Sequence, residues 1–143
     1  KVVHLASARV RDICTALSIP ALVQNQIWTA VRFSLEYAEL LLKGRHLDNV
    51  ILCCVYGVCR ANKVQPEVSF RRLIDYYKTQ QTGWTNKVKV IRDIPLSGGA
   101  SGTIIDFYNK IFITHMKTFL LNVPHAAVVP GVGAGAGAEA AAV

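Results

Sequence analysis

The residues best suited to catalysis in this sequence are its cysteines, histidines and acids, and their spacing does not build an active site. A Cys–His–Asp triad can be assembled from His46, Asp48 and Cys53. Three residues within one helix do not normally converge on a substrate, so an enzyme centred on Cys53 or Cys59 is a weak alternative. The nine acidic residues are scattered and not paired for acid–base chemistry. We therefore expect no catalysis.

Metal and cofactor motifs are equally incomplete. Cys53, Cys54 and Cys59 lie near one another, but no CxxC pair occurs and the four histidines are scattered. The cysteines are expected to be reduced, buried thiols. A loose dinucleotide pattern at residues 131–136 follows no predicted strand and reflects a Gly/Ala-rich composition. We expect neither a metal nor a cofactor.

The charge balance indicates acidic partners without choosing among them. Sixteen Lys and Arg residues against nine Asp and Glu give a net charge of +7. Nucleic acid, anionic membranes and acidic peptides all attract such a chain. The sequence contains no motif that reads bases, so a solvated basic surface is favoured over specific nucleic-acid binding. The longest apolar run, Val50 to Cys59, covers about half of a bilayer, and no membrane partner is expected.

Five stretches with helical periodicity must position whatever site exists. They cover about residues 3–17, 20–43, 46–61, 69–77 and 103–122. The third is apolar nearly all round, and such a helix has to be surrounded by others. These patterns predict an all-α domain of five helices around a buried central helix. The glycine-rich residues Ser97 to Gly102 are interpreted as a flexible hinge.

Two of these helices carry long apolar stripes. In the second, the stripe comprises Ile27, Val31, Leu35, Ala38 and Leu42, and Gly44 supplies the stop. In the last helix it comprises Ile104, Phe107, Tyr108, Ile111, Phe112, Met116, Phe119 and Leu120. Both are predicted to be uninterrupted helices.

The final 21 residues differ in composition from the rest. Residues 123–143 are rich in Gly and Ala and almost free of large side chains, which predicts a disordered, flexible tail. The folded domain is accordingly assigned to residues 1–122. Because the first residue is Lys1 and not Met, we expect the chain to begin inside a longer protein.

Three segments resemble a known family when taken together. HLASARVRDIC opens the domain at His4, GRHLDNVILCCVYGVCR forms the central helix from Gly44, and DFYNKIF begins the last helix at Asp106. Over about residues 1–122 their order and spacing resemble the B box of retinoblastoma-related pocket proteins. Arg60 stands where the family usually has lysine.

The resemblance implies a cyclin-like helical fold with a groove for peptides of the LxCxE type. It also implies a second, preceding box, the A box, that packs against this one. Carried over by motif, the groove residues are Tyr56, Arg60, Phe70, Arg71, Ile105, Tyr108, Asn109, Ile113 and Lys117.

The residue types on the last helix suit that assignment. Ile105, Asn109, Ile113 and Lys117 are spaced by four and lie on one stripe. Two isoleucines are unusual on a solvated face, but they can contact the apolar side chains of an extended peptide. Asn109 can donate and accept backbone hydrogen bonds, and Lys117 can meet an acid.

The start of the fourth helix suits the peptide's glutamate. If Ser69 is the N-cap, the N–H groups of Phe70 and Arg71 have no acceptor within their helix. A helix N-terminus with an adjacent arginine attracts a carboxylate. The resemblance assigns Phe70 and Arg71 this role.

The resemblance implies a nuclear transcriptional corepressor that controls cell-cycle entry. Its implied partners are LxCxE proteins such as chromatin-modifying corepressors, and S-phase transcription factors bound jointly with the A box. Cyclin-dependent phosphorylation is the implied release signal. The alternative is a cyclin-like box of a basal transcription factor whose basic face binds DNA.

Overall fold

Helices make up most of the chain in the computed structural model, which describes residues 2–79 and 90–122. The first part contains α1 (Val2–Ala16), α2 (Ala21–Ser34), a 3₁₀ turn (Leu35–Tyr37), α3 (Ala38–Leu41), α4 (Leu47–Ala61) and α5 (Phe70–Thr79). The second contains β1 (Ile94–Pro95), β2 (Ser101–Gly102), α6 (Ile104–Phe107), a π-helical turn (Tyr108–Phe112) and α7 (Ile113–Leu121). The predicted all-α, cyclin-like fold is confirmed. The tail predicted at residues 123–143 lies outside the described residues.

Helix α4 is the axis of the fold, as its composition predicts. It contacts α1, α2, α5 and α7. Its buried positions cover every side of the helix and are Asp48, Asn49, Val50, Ile51, Leu52, Cys53, Cys54, Val55, Gly57, Val58 and Cys59. Helix α1 buries its predicted stripe of Ala6, Val10, Ile13, Cys14 and Leu17 against this axis and α2.

The second predicted helix is not continuous. Helix α2 ends at Ser34, whose hydroxyl donates to the carbonyl of Val31 at 2.7 Å, and the 3₁₀ turn follows. Because a 3₁₀ turn has fewer residues per turn than an α-helix, it rotates the later residues relative to the α2 stripe. Leu41 is therefore buried in the core, whereas Leu35 and Leu42 from the predicted stripe are half-buried.

The last predicted helix has the expected start and core face but a different interior. Thr103 caps it, since its hydroxyl accepts from the Asp106 N–H at 3.2 Å while the Asp106 carboxylate accepts from the Thr103 N–H at 3.0 Å. The predicted stripe is buried except for Phe119, which is half-buried. Between α6 and α7 the backbone makes a π-helical turn, which the periodicity does not reveal.

The glycine-rich stretch interpreted as a hinge closes a small hairpin. Strands β1 and β2 pair antiparallel, with Ile94 opposite Gly102, and the Leu96 N–H donates to the Ala100 carbonyl at 2.8 Å. Gly98 and Gly99 have positive φ values of 68° and 83°, which residues with a side chain rarely adopt. The hairpin leads directly into the cap of α6.

Within residues 2–79 and 90–122, no helix combines the length and the apolar character that a bilayer crossing requires.

Candidate peptide-binding site

Three aromatic rings from three elements form a contiguous cluster, which we call the aromatic floor: Tyr56 of α4, Phe70 of α5 and Tyr108 of the π-turn. The rings of Tyr56 and Phe70 stack with centroids 4.1 Å apart and planes 18° from parallel. Tyr108 meets both edge-on, at 5.0 Å from Tyr56 and 5.5 Å from Phe70. Such pairs contribute about 0.5–1.5 kcal/mol each beyond burial, so the floor fixes these elements to one another.

The accessible edge of the floor is made by Tyr56. Phe70 and Tyr108 are buried, whereas Tyr56 is half-buried. Burial raises the pKa of Tyr108 to about 12, so its phenol stays protonated at neutral pH.

Arg60 lies one helical turn beyond Tyr56 and places a cation at that edge. Its Nη1 donates to the Tyr56 hydroxyl at 3.0 Å, and the guanidinium carbon lies 6.0 Å from the ring centroid. Arg60 is exposed, so it remains available to an acidic ligand while the tyrosine restrains its orientation. Apolar surface and positive charge are therefore adjacent.

The four-residue stripe predicted on the last helix occurs at the surface. Ile105 is 45% exposed, so part of its aliphatic side chain is available for contact with a ligand. Asn109 and Lys117 are exposed, and Ile113 is half-buried. We call Ile105, Asn109, Ile113 and Lys117 the ligand face.

The π-turn improves the alignment of the ligand face. Residues spaced by four drift about 40° per step around an ideal α-helix of 3.6 residues per turn. A π-turn, with its i→i+5 hydrogen bonds, has more residues per turn and reduces that drift. It spans Tyr108–Phe112 and so includes Asn109, in the middle of the stripe. The turn thus keeps the four positions closer to one line than a regular helix would.

The start of α5 has the predicted cap. The Ser69 hydroxyl accepts from the Arg72 N–H at 3.1 Å, which leaves the N–H groups of Phe70 and Arg71 at the first helical positions. Arg71 is exposed and forms an ion pair with Asp75, with Nε and Oδ2 3.8 Å apart. Exposed pairs of this kind are weak, so the Arg71 cation is not committed to Asp75.

Comparison with known proteins assigns the chain to a protein family. Residues 1–117 match the family model of the retinoblastoma-associated protein B domain. The chain belongs to this B-domain family. It is 33% identical to retinoblastoma-related protein 3 of Zea mays over 91% of the chain and 14% of that protein. It is 26% identical to retinoblastoma-like protein 1 of Mus musculus over 85% of the chain and 14% of that protein. Retinoblastoma-like protein 2 of Homo sapiens is 33% identical over 68% of the chain and 8% of that protein.

The B domain therefore represents a small part of its relatives, about a seventh of the maize and mouse proteins. Of the nine predicted site residues, Tyr56, Arg60, Phe70 and Tyr108 come into direct contact with one another. The ligand face shares a helix with Tyr108, and Arg71 follows Phe70 in the chain.

A small cavity beside the floor was not predicted from the sequence. Its volume is about 220 Å³, and it lies where the end of α4 meets the segment that leads to α5. Its lining residues are Tyr56, Cys59, Arg60, Lys63, Val64, Gln65, Glu67 and Val68. Tyr56, Cys59 and Arg60 lie on the predicted central helix, whereas residues 63–68 have no periodicity from which the cavity could be predicted.

A second concave surface of the B domain lies between α2 and α7 and was also missed. Its volume is about 890 Å³, and its lining residues are Asn25, Gln26, Thr29, Phe33, Tyr37, Thr114, His115, Thr118, Phe119 and Asn122. Phe33 stacks on Phe119 at 5.0 Å, and Tyr37 stacks on His115 at 5.5 Å. The aromatic residues were visible in the sequence, but their pairing depends on packing between distant helices.

The weak catalytic alternative is not supported by the geometry. The Asp48 carboxylate accepts hydrogen bonds from Arg9 of α1 and Tyr77 of α5, and so joins two neighbouring helices to α4. Cys53 is fully buried, and desolvation raises its pKa well above the usual value of 9.0. Burial likewise raises the pKa of Cys59 to about 12. Both are poor nucleophiles in the folded domain.

Proposed function

We propose that this B domain is a protein-docking module of a transcriptional corepressor and binds LxCxE-type peptides across the aromatic floor and the ligand face. Its family relatives are named retinoblastoma-related and retinoblastoma-like proteins, which supports a regulatory role without catalysis. The observation that carries the peptide proposal is the contact of Arg60 with the aromatic floor, together with the exposed Ile105 three residues before Tyr108 on the last helix.

The apolar part of the ligand would lie against the half-exposed isoleucines. An isoleucine that is 45% exposed in the free domain has about half of its side chain left to bury. At about 0.8 kcal/mol per buried methylene, truncating Ile105 to Ala should cost about 1 kcal/mol of binding, roughly fivefold in affinity.

The polar part of the ligand would be held at three places. The Asn109 amide has both donors and an acceptor, which suits the backbone of an extended peptide. The N–H groups at the start of α5, with Arg71, suit the ligand's glutamate. Arg60 and Lys117 supply further positive charge for the same acid.

The wider role follows from family membership. We propose that residues 1–122 form the folded unit and that an A box of the same protein packs against it. Together the boxes would hold S-phase transcription factors inactive in the nucleus and recruit chromatin-modifying corepressors. Cyclin-dependent phosphorylation would release them and permit cell-cycle entry.

Titration calorimetry with a synthetic LxCxE peptide tests the docking function. We expect a dissociation constant in the micromolar range or tighter, and weaker binding by Asn109→Ala through loss of backbone hydrogen bonds worth about 0.5–1.5 kcal/mol each. Ile105→Ala should also weaken binding. Leu22→Ala is the matched control, because Leu22 is 47% exposed on α2. A folded domain without measurable binding would refute the proposal.

A DNA titration separates this function from the rival basal transcription factor. A chain of net charge +7 is expected to bind DNA weakly at low salt, without sequence preference. A sequence-selective complex that persists at high salt would favour the rival.

A further inference from the structure

Gly57 lies in the middle of α4, where glycine is an unfavourable residue. It is buried, and glycine destabilises a helix interior relative to alanine because it has more backbone freedom to lose. A glycine at such a position is explained if another residue lies so close to the helix backbone that a side chain would not fit.

The contact is visible on the side of α4 that faces the last helix. A Cβ atom on Gly57 would lie 2.9 Å from Leu120 Cδ1 and 3.2 Å from Leu120 Cδ2. It would also lie 3.4 Å from the Tyr108 hydroxyl oxygen. The Leu120 contacts are closer than a Cβ atom tolerates, whereas the Tyr108 hydroxyl lies at an ordinary van der Waals distance and would be reached only by a larger side chain.

We propose that Gly57 is a positioning residue for the aromatic floor: because no branched side chain stands at this position, the Tyr108 ring keeps its place beside α4 and its contacts with Tyr56 and Phe70. The inference rests on the proposed docking function and adds a residue that no ligand would touch. The Tyr108 ring meets the Tyr56 ring edge-on at 5.0 Å and the Phe70 ring at 5.5 Å. Displacing the Tyr108 hydroxyl from α4 would therefore tilt a ring that contacts both Tyr56 and Phe70.

The two neighbours of Gly57 respond differently to a new side chain. The Leu120 methyl groups end a flexible side chain and can rotate away from a single Cβ. The Tyr108 hydroxyl belongs to a rigid ring held on two sides by the floor, so it can move only if the ring moves. Alanine at position 57 should therefore displace mainly Leu120, and valine, with two further methyl groups, should also displace Tyr108.

This graded response defines the experiment, which uses the full chain and a synthetic LxCxE peptide. We expect Gly57→Ala to bind within about threefold of wild type and Gly57→Val to bind at least about tenfold more weakly at equal folded fraction. Ala6→Val is the overpacking control, because Ala6 is fully buried on α1, a helix that contributes no ring to the floor. Gly57→Val binding like wild type would overturn the proposal, as would equal weakening by Ala6→Val.

A double-mutant cycle tests whether the effect passes through the phenol. Tyr108→Phe removes the oxygen nearest to position 57, so it should relieve part of the loss caused by Gly57→Val. The combined loss in Gly57→Val/Tyr108→Phe should be smaller than the product of the two single losses. Strictly multiplicative losses would show that Gly57 does not act through Tyr108.

One further measurement keeps this inference separable from the docking function. In the free protein labelled with ¹³C-tyrosine, Gly57→Val should shift the Tyr108 ring resonance more than that of Tyr37, which lies beside α2. If wild type binds no peptide but Tyr108 shifts in this way, the docking function fails and the positioning role stands. An unmoved Tyr108 resonance in Gly57→Val refutes the positioning role whatever the peptide does.

Discussion

Removing the Asp48 carboxylate should destabilise the whole domain, because this one group joins three helices. Asp48 of α4 accepts hydrogen bonds from Arg9 of α1 and from the Tyr77 hydroxyl of α5. Its side chain is only 12% exposed, so a variant that breaks these bonds cannot replace them fully with water. We consider Asp48→Ala and the nearly isosteric Asp48→Asn.

The magnitude follows from the two bonds and their exposure. Hydrogen bonds to charged groups contribute about 1.5–3 kcal/mol each. The Arg9 side chain is 42% exposed, so its share is screened and we discount it to about 1 kcal/mol. Tyr77 is half-buried and should lose about 1–2 kcal/mol with its partner. Asp48→Ala should therefore cost about 2–3 kcal/mol, a large part of the roughly 5–15 kcal/mol that stabilises a domain.

Urea unfolding at pH 7, followed by circular dichroism, measures this cost. The expected order of destabilisation is Asp48→Ala, then Asp48→Asn at about 1–2 kcal/mol, then Tyr77→Phe at about 1 kcal/mol. Asp48→Asn combined with Tyr77→Phe should cost less than the sum of the single changes, since Asp48→Asn weakens the same bond that Tyr77→Phe removes. An Asp48→Asn midpoint equal to wild type, or full additivity, would refute the view that Asp48 joins these helices.

Three other predictions concern the thiols and the charges around the groove. Cys53 should react with a thiol reagent only as fast as the domain unfolds, and Cys53→Phe should cost about 1–3 kcal/mol by overpacking; labelling at free-thiol rates in a helical domain would contradict this. Burial raises the pKa of Cys54 to about 12 from 9.0. The buried neutral thiol therefore contributes fully to stability below pH 9, and this contribution is lost as the pH rises towards 12. Urea unfolding midpoints that stay constant from pH 8 to 11 would contradict this prediction. Peptide binding should weaken with salt, since the glutamate of the peptide is expected to meet Arg60, Arg71 and Lys117. A peptide with Glu changed to Gln should lose most of that salt dependence. Calorimetry at two salt concentrations measures it, and equal salt dependence for both peptides would place these cations away from the ligand.

Hydrophobic periodicity was sufficient to predict the elements whose burial is local and regular. The all-round apolar character of about residues 46–61 predicted a central helix, and the observed α4 spans Leu47–Ala61. The same reasoning placed the cap at Ser69 and the buried face around Phe107 and Phe112, and the resemblance placed Tyr56 and Tyr108 in one site.

Features that depend on distant partners could not be predicted in this way. Arg9 and Tyr77 lie 39 and 29 residues from Asp48 in the chain, so their convergence has no local signature. The 3₁₀ turn at Leu35–Tyr37 and the π-turn at Tyr108–Phe112 change the number of residues per turn, and residue propensities scarcely distinguish them from an α-helix. The contact between Gly57 and Tyr108 exists only once α4 and the last helix have packed.

If the ligand face binds an extended peptide as we propose, its four-residue repeat would also match the spacing of that peptide's side chains. An α-helix rises about 6 Å over four residues, and an extended chain places side chains on the same side about every 6.6 Å. In a regular α-helix the two intervals would therefore differ by only about 0.6 Å per step. Leu, Cys and Glu of an LxCxE segment alternate with the intervening residues, so all three project from one side at this interval. One inserted residue would turn part of the motif to the opposite side of the peptide. The helix would therefore select peptides by the spacing of their side chains as well as by residue type.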